Sequence, residues 1–140
     1  MSEPAMVADG LHSAAIHLLR LVRRVDVETG LSPARLSALS VLVFGGSHTV
    51  GDLAADQQVR SPTMSRLVTE MEAEGLVERS TPAAGDRRIV MVAATAKGRR
   101  LLLAARRRRV ATLAERVATL PAADVILLDR AADLMERLSR

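Results

Sequence analysis

The chain changes its hydrophobic period at Gly75 and again at Thr95, and those two changes fix its layout more than any other feature. Before Gly75 apolar residues recur at helical spacing. After it, two short runs rich in β-branched residues, Leu76-Val77-Glu78-Arg79 and Ile89-Val90-Met91-Val92, flank a loop containing Pro82 and Gly85, as a β-hairpin with a long tip would. The second run is apolar on both faces, so its register stays open. From Thr95 helical spacing returns. The expected order is helix, helix, short helix, helix, hairpin, long helix, helix: a mainly α (α+β) fold.

Local signals place the helices. The first, Val7 to Val25, carries Leu11, Ala14, Ala15, Leu18, Val22 and Val25 on one side and Arg20, Arg23 and Arg24 on the other, with Gly30 as its stop. Ser32-Pro33 supplies an N-cap followed by proline, opening a helix with Leu36, Leu39, Leu42 and Val43 that ends at Gly45-Gly46. A short helix spans Gly51 to Gln57, with Leu53 and Ala54 inward. Ser61-Pro62 repeats the cap-plus-proline signal, and Met64, Leu67, Val68 and Met71 form one buried stripe closed by a left-handed Gly75. Thr95 caps a helix running to about Leu120; Pro121 breaks it, and Val125, Leu128, Ala132, Met135 and Leu138 mark a last helix. The lone aromatic, Phe44, reads as core.

Composition narrows the function classes. The 140 residues include no cysteine, which removes disulfides, thiolate metal sites and cysteine redox chemistry. One aromatic cannot build the stacking platforms that bind single strands or RNA. His12, His17 and His48 are scattered without metal-ligand spacing, so no metal or other cofactor is expected. No nucleophile–base pair, glycine-rich phosphate loop or paired-carboxylate signature exists, so the chain does not read as an enzyme. No uninterrupted apolar run approaches the roughly 20 residues of a membrane span, and no secretion signal opens the chain, so a cytoplasmic location is the expectation. The net charge of +4 is unevenly spread. Between Arg87 and Arg116 lie ten basic residues (Arg87, Arg88, Lys97, Arg99, Arg100, Arg106, Arg107, Arg108, Arg109 and Arg116) against the single acid Glu115. Such a zone attracts polyanions, although a solvated helix face fits the composition equally well.

Two helices joined by a brief turn and followed by a hairpin make a winged helix-turn-helix. Opposite the apolar stripe of the second helix lie Pro62, Thr63, Ser65, Arg66, Thr69 and Glu70. Small hydroxyl residues let a helix sit deep in a major groove, where Arg66 can contact guanine or phosphate, and the free N–H groups of the helix start, opened by Ser61-Pro62, point at backbone phosphate. Taken alone, that face also fits an ordinary solvated surface. The hairpin favours double-stranded DNA: an arginine of Asp86-Arg87-Arg88 on a β-tip can enter the minor groove, oriented by the Asp86 carboxylate.

The runs Gly75-Leu76-Val77-Glu78-Arg79, Asp86-Arg87-Arg88 and Thr95-Ala96-Lys97-Gly98 resemble the signature of the MarR (multiple antibiotic resistance regulator) family. Thr49-Val50-Gly51-Asp52-Leu53-Ala54 and Ser61-Pro62-Thr63-Met64-Ser65-Arg66 are similar to that family's two helix-turn-helix segments. The similarity spans residues 32 to 103. It implies that residues 61 to 66 face the major groove, that Arg88 probes the minor groove with Asp86 orienting it, and that Arg87 lies near phosphate. Two departures stand out: a neutral tip, Ala83-Ala84-Gly85, and Ala94 where leucine is usual. The resemblance also implies a homodimer on a palindromic operator, with residues 7–30 and 95–140 as the dimerisation region and 32–94 as the DNA-binding region. A repressor role and a small-molecule effector, with His17 as a possible lining residue, are further expectations; the arginine run 106–109 is expected to be solvated. Rival readings are a non-specific architectural DNA-binding protein and an interaction module whose winged helix no longer binds DNA.

Overall fold

The computed structural model describes residues 2–82, 84–86 and 88–140. Along the chain come α1 (Glu3–Val27), α2 (Pro33–Gly45), β1 (His48–Thr49), α3 (Val50–Asp56), α4 (Ser61–Ala73), β2 (Val77–Ser80), β3 (Met91–Ala94), α5 (Ala96–Val117) and α6 (Ala122–Leu138). The three strands form an antiparallel sheet in the order β1-β3-β2. One core joins Leu36, Leu39 and Leu42 of α2 with Leu53 of α3, Met64, Val68 and Met71 of α4, Leu76, the inward strand residues Val77 and Val92, and Leu102 and Ala105 of α5. The mainly α winged-helix architecture is therefore present as expected.

Several local expectations shift. β1 is a strand that the sequence did not reveal, because two residues carry no alternation to detect; it pairs His48 with Val92 and Thr49 with Met91. Thr49 then caps α3, its Oγ1 accepting from Asp52 N at 3.0 Å. β3 starts at Met91, and Ile89 and Val90 lie outside it, exposed. Pairing with β2 fixes the register as Val77 opposite Ala94 and Ser80 opposite Met91. Ser61 is not the cap of α4: Arg60 occupies that position and its carbonyl accepts from Met64 N at 3.0 Å, so the helix begins one residue earlier than read. Leu67 is only half-buried. Phe44 is 63% exposed, since α2 turns it outward at its last full turn before the glycines.

The exit of α4 and the start of α5 are locked together. Gly75 at φ +75° ends α4, with Leu76 N donating to Met71 O at 2.9 Å and Gly75 N to Glu72 O at 3.0 Å, a paired closure that favours glycine. Thr95 N donates to Leu76 O at 3.0 Å, and Thr95 Oγ1 both contacts the Gly75 carbonyl at 2.5 Å and accepts from Gly98 N at 3.1 Å. Gly98 is buried so tightly that a Cβ there would lie 2.1 Å from Leu76 O. This junction is held by the Leu76 and Gly98 backbone together with the Thr95 hydroxyl.

An ion pair ties α1 to α5, which pack against each other. Asp26 is 4% exposed, and its Oδ1 accepts from Arg109 Nε at 2.6 Å. Arg109 is thus not solvated as expected, whereas Arg106, Arg107 and Arg108 are. α6 buries no residue. By length and a mean hydropathy of 1.2 over 18 residues, α1 is the one described helix that meets the bare requirement for a membrane span, although Asp9 and Arg20 interrupt its apolar character.

Two stability outcomes follow. Gly98→Ala should cost about 1–3 kcal/mol in urea unfolding, because the clash is with backbone that cannot move without breaking the Thr95–Leu76 bond. Arg109→Ala, which strands the Asp26 carboxylate, should cost about 2 kcal/mol, while Arg107→Ala at the exposed neighbouring position stays within about 0.5 kcal/mol. Equal effects of the two arginine substitutions would contradict the assigned role of the pair.

Candidate nucleic-acid interface

α2, α3 and α5 satisfy their first turns internally: the side chains of Ser32, Thr49 and Thr95 each accept a backbone N–H. α4 differs. Its N-cap Arg60 makes no side-chain cap bond, and Pro62 in the first turn has no N–H to satisfy. Among the described residues the first-turn amides of α4 therefore have no side-chain acceptor, and they sit at the positive end of a 13-residue helix. Ser61, Pro62, Thr63, Ser65, Arg66 and Thr69 are all exposed, opposite the buried Met64, Val68 and Met71. This surface can accept a phosphate oxygen at its end and present hydroxyls and a guanidinium along its face.

The acids near that face are occupied. Arg35 of α2 reaches Glu70 at 3.3 Å and Glu74 at 2.9 Å. Arg79 of β2 reaches Glu72 at 3.4 Å and Thr69 Oγ1 at 3.1 Å. Among the described residues Arg60 and Arg66 make no ion pair, so the uncompensated charge of the face is positive. These exposed pairs contribute little stability each; their consequence is electrostatic, since they remove carboxylates that would repel a polyanion.

On the hairpin, Asp86 and Arg88 form a two-pronged contact. Arg88 Nε donates to Asp86 Oδ1 at 3.0 Å and Nη2 to Oδ2 at 3.0 Å, while Arg88 N also donates to Oδ1 at 3.0 Å. Ile89 N donates to Asp86 O at 3.1 Å beside this contact. The Arg88 side chain is 91% exposed, so the carboxylate orients the guanidinium without covering it. The Arg88 side chain, and next its backbone N–H, hold the Asp86 carboxyl below its ordinary range, and Asp86 raises Arg88. Because the Asp86 value is depressed in the folded chain, the contact is complete above the ordinary carboxylate range and is lost as pH falls through the depressed value. Arg87 lies outside the described residues.

The expected site residues thus fall into two groups, the outer face of α4 and the Asp86–Arg88 tip, and no hydrogen bond or ion pair among the described residues joins one group to the other. Arg79, at the base of the hairpin, is what ties β2 to α4. Spacing marks Arg79 only as part of the Gly75–Arg79 run and does not mark Arg35 or Arg60. The signal was an arginine in a strand position following three helix acids, Glu70, Glu72 and Glu74. His17 is exposed on α1, and no cluster of metal-ligating side chains occurs among the described residues.

A family model described as MarR family matches residues 29–89, from the end of α1 to the hairpin. An uncharacterized HTH-type transcriptional regulator of Mycobacterium bovis is 38% identical over 135 residues, covering 96% of this chain and 94% of its own length. A putative transcriptional regulator from Pseudomonas aeruginosa superposes with a TM-score of 0.83 at 28% identity, covering 99% of this chain and 96% of that one. NadR, solved in complex with 4-hydroxyphenylacetate, superposes with a TM-score of 0.70 at 24% identity, covering 100% and 96%.

Arg88→Ala should weaken duplex binding about tenfold or more at fixed salt and reduce the slope of log affinity against log salt by about 1, with an unchanged thermal midpoint. Unaltered affinity in a gel-shift titration would remove the hairpin arginine from the interface.

Proposed function

The chain belongs to the MarR family of DNA-binding transcriptional regulators, and from that premise we propose that it acts in the cytoplasm as a homodimeric repressor on an approximately palindromic operator, released by a small-molecule effector. The observation that carries the DNA-contact part is the pairing of an uncapped, exposed α4 start with an arginine that is held by Asp86 yet left 91% exposed. In this reading α4 lies in the major groove, Ser61 and Thr63 lie against phosphate, Ser65, Arg66 and Thr69 face bases, and Arg88 enters the adjacent minor groove. Arg87 is assigned to phosphate by its place in the motif.

The dimer reading rests on apolar surface. Ile126 and Leu127 of α6 are 64% and 63% exposed, and Leu138 is 74% exposed. Between α1 and α6 a groove of about 580 Å³ is lined almost wholly by apolar atoms of Val7, Leu11, Leu134, Met135 and Leu138. Such area in water favours association, and residues 7–30 and 95–140 are proposed to supply it, leaving 32–94 to the DNA. A two-fold assembly presents two copies of α4, hence two half-sites about one turn (~34 Å) apart. NadR's ligand supports an aromatic acid as effector, and the cleft of about 280 Å³ between α1, α2 and α5 offers space for one.

Selection of duplexes from a random pool by the full chain tests the reading. The expected product is an inverted repeat bound by a species of twice the 15.0 kDa chain mass. Arg66→Ala should lower discrimination at one base pair per half-site by about 1–3 kcal/mol. A selected duplex bound no better than its scrambled sequence at the same salt would reduce the protein to non-specific binding.

A further inference from the structure

Arg79 leaves β2 and crosses to the outer face of α4. Its Nη2 donates to Thr69 Oγ1 at 3.1 Å and lies 3.5 Å from the Ser65 carbonyl oxygen; its Nη1 donates to Glu72 Oε1 at 3.4 Å. Thr69 Oγ1 in turn donates to the Ser65 carbonyl at 2.9 Å. Chemistry fixes the direction of each bond. A guanidinium has donors only and a carbonyl accepts only. The single hydroxyl proton of Thr69 is therefore committed to Ser65, and one of its two lone pairs is committed to Arg79.

A helical threonine ordinarily divides between two χ1 rotamers, and a bond to the preceding turn is too weak to abolish the other. Arg79 adds a second restraint, itself anchored by pairing opposite Val92 in the sheet and by Glu72. Thr69 remains exposed while so held. In a major groove it has no proton to offer guanine O6 or N7, adenine N7 or thymine O4. What it presents is its γ-methyl group and the one remaining lone pair of a hydroxyl oxygen that already has two partners.

We infer that Arg79 is a specificity-determining residue that fixes Thr69 as a methyl reader, selecting the thymine 5-methyl group at one position of each half-site. Arg79 acts through Thr69 and is a positioning residue. The inference rests on the proposed placement of α4 in the groove.

The test uses the full chain and the duplex it selects from a random pool, with each thymine replaced in turn by deoxyuridine, which removes the 5-methyl and nothing else. For the unaltered protein, one thymine per half-site should show about a fourfold loss of affinity, the value of one buried methyl group. Thr69→Val, which keeps the methyl and which the helix itself restricts to one χ1 rotamer without help from Arg79, should retain that loss; Thr69→Ser, which keeps only the hydroxyl, should abolish it. Arg79→Ala should reduce it below about twofold and admit guanine at the same position in a repeated selection. Thermal melting checks that each variant is folded, and the two threonine variants change too little volume to disturb the helix. A site selected with no uracil-sensitive thymine, a sensitivity that persists in Thr69→Ser, or an unchanged selection by Arg79→Ala overturns this inference and leaves the groove placement standing. A folded dimer that selects no sequence overturns the groove placement itself and this inference with it.

Discussion

Where α4 ends and α5 begins, two stretches of backbone touch with no side chain between them. The Leu76 carbonyl accepts from Thr95 N and sits against the Cα of Gly98, while the Gly75 carbonyl meets the Thr95 hydroxyl. Lys97 Nζ reaches the Glu74 carbonyl at 2.8 Å from the other side. These contacts join α4, the first hairpin strand and the long helix into one rigid corner. A shift of α5 must therefore move α4 and the hairpin base, because the low compressibility of a packed corner leaves no slack. That corner makes the position of the long helix and the position of the DNA-facing surface two aspects of one geometry.

Arginine chemistry shapes the surface around that corner. Arg35 on α2, Arg79 on β2 and Arg88 in the loop between β2 and β3 each engage carboxylates through directional contacts. Planar guanidinium groups can bridge two acceptors while remaining charged at every accessible pH. One residue type thereby neutralises the acids along α4 and links strand to helix, and at the tip it meets the Asp86 carboxylate while staying exposed. Lysine, with a point charge and a flexible stem, would neutralise without fixing direction. Asp26 and Arg109 apply the same chemistry inside, joining α1 to α5 where the remainder of α1 is at most half-buried.

Large parts of the fold were legible from residues alone because their causes are local. Ser32-Pro33 and Thr95 mark helix starts through bonds to an amide three residues on, and Gly75 ends α4 because its φ of +75° suits glycine. The Asp86–Arg88 contact spans two residues and was legible for the same reason. What escaped spans distance. β1 is visible only through its pairing with β3, Arg109 through Asp26 across 83 positions, and Arg79 through Thr69 across ten. Ile89 and Val90 have strand-like composition, yet the register set by Val77 opposite Ala94 leaves them outside the ladder.

By itself, then, the amino-acid order determined which segments are helix or hairpin, where most of them start and stop, and which residues could meet a phosphate or a base, since period, capping and charge act within a few residues. Only the tertiary structure decided which of those residues are already engaged: the acids of α4, the hydroxyl of Thr69 and the last arginine of the run 106–109. A hydrogen-bonding group can be spent on only as many partners as it has protons and lone pairs, and partners brought together by folding leave no trace in the spacing of the chain.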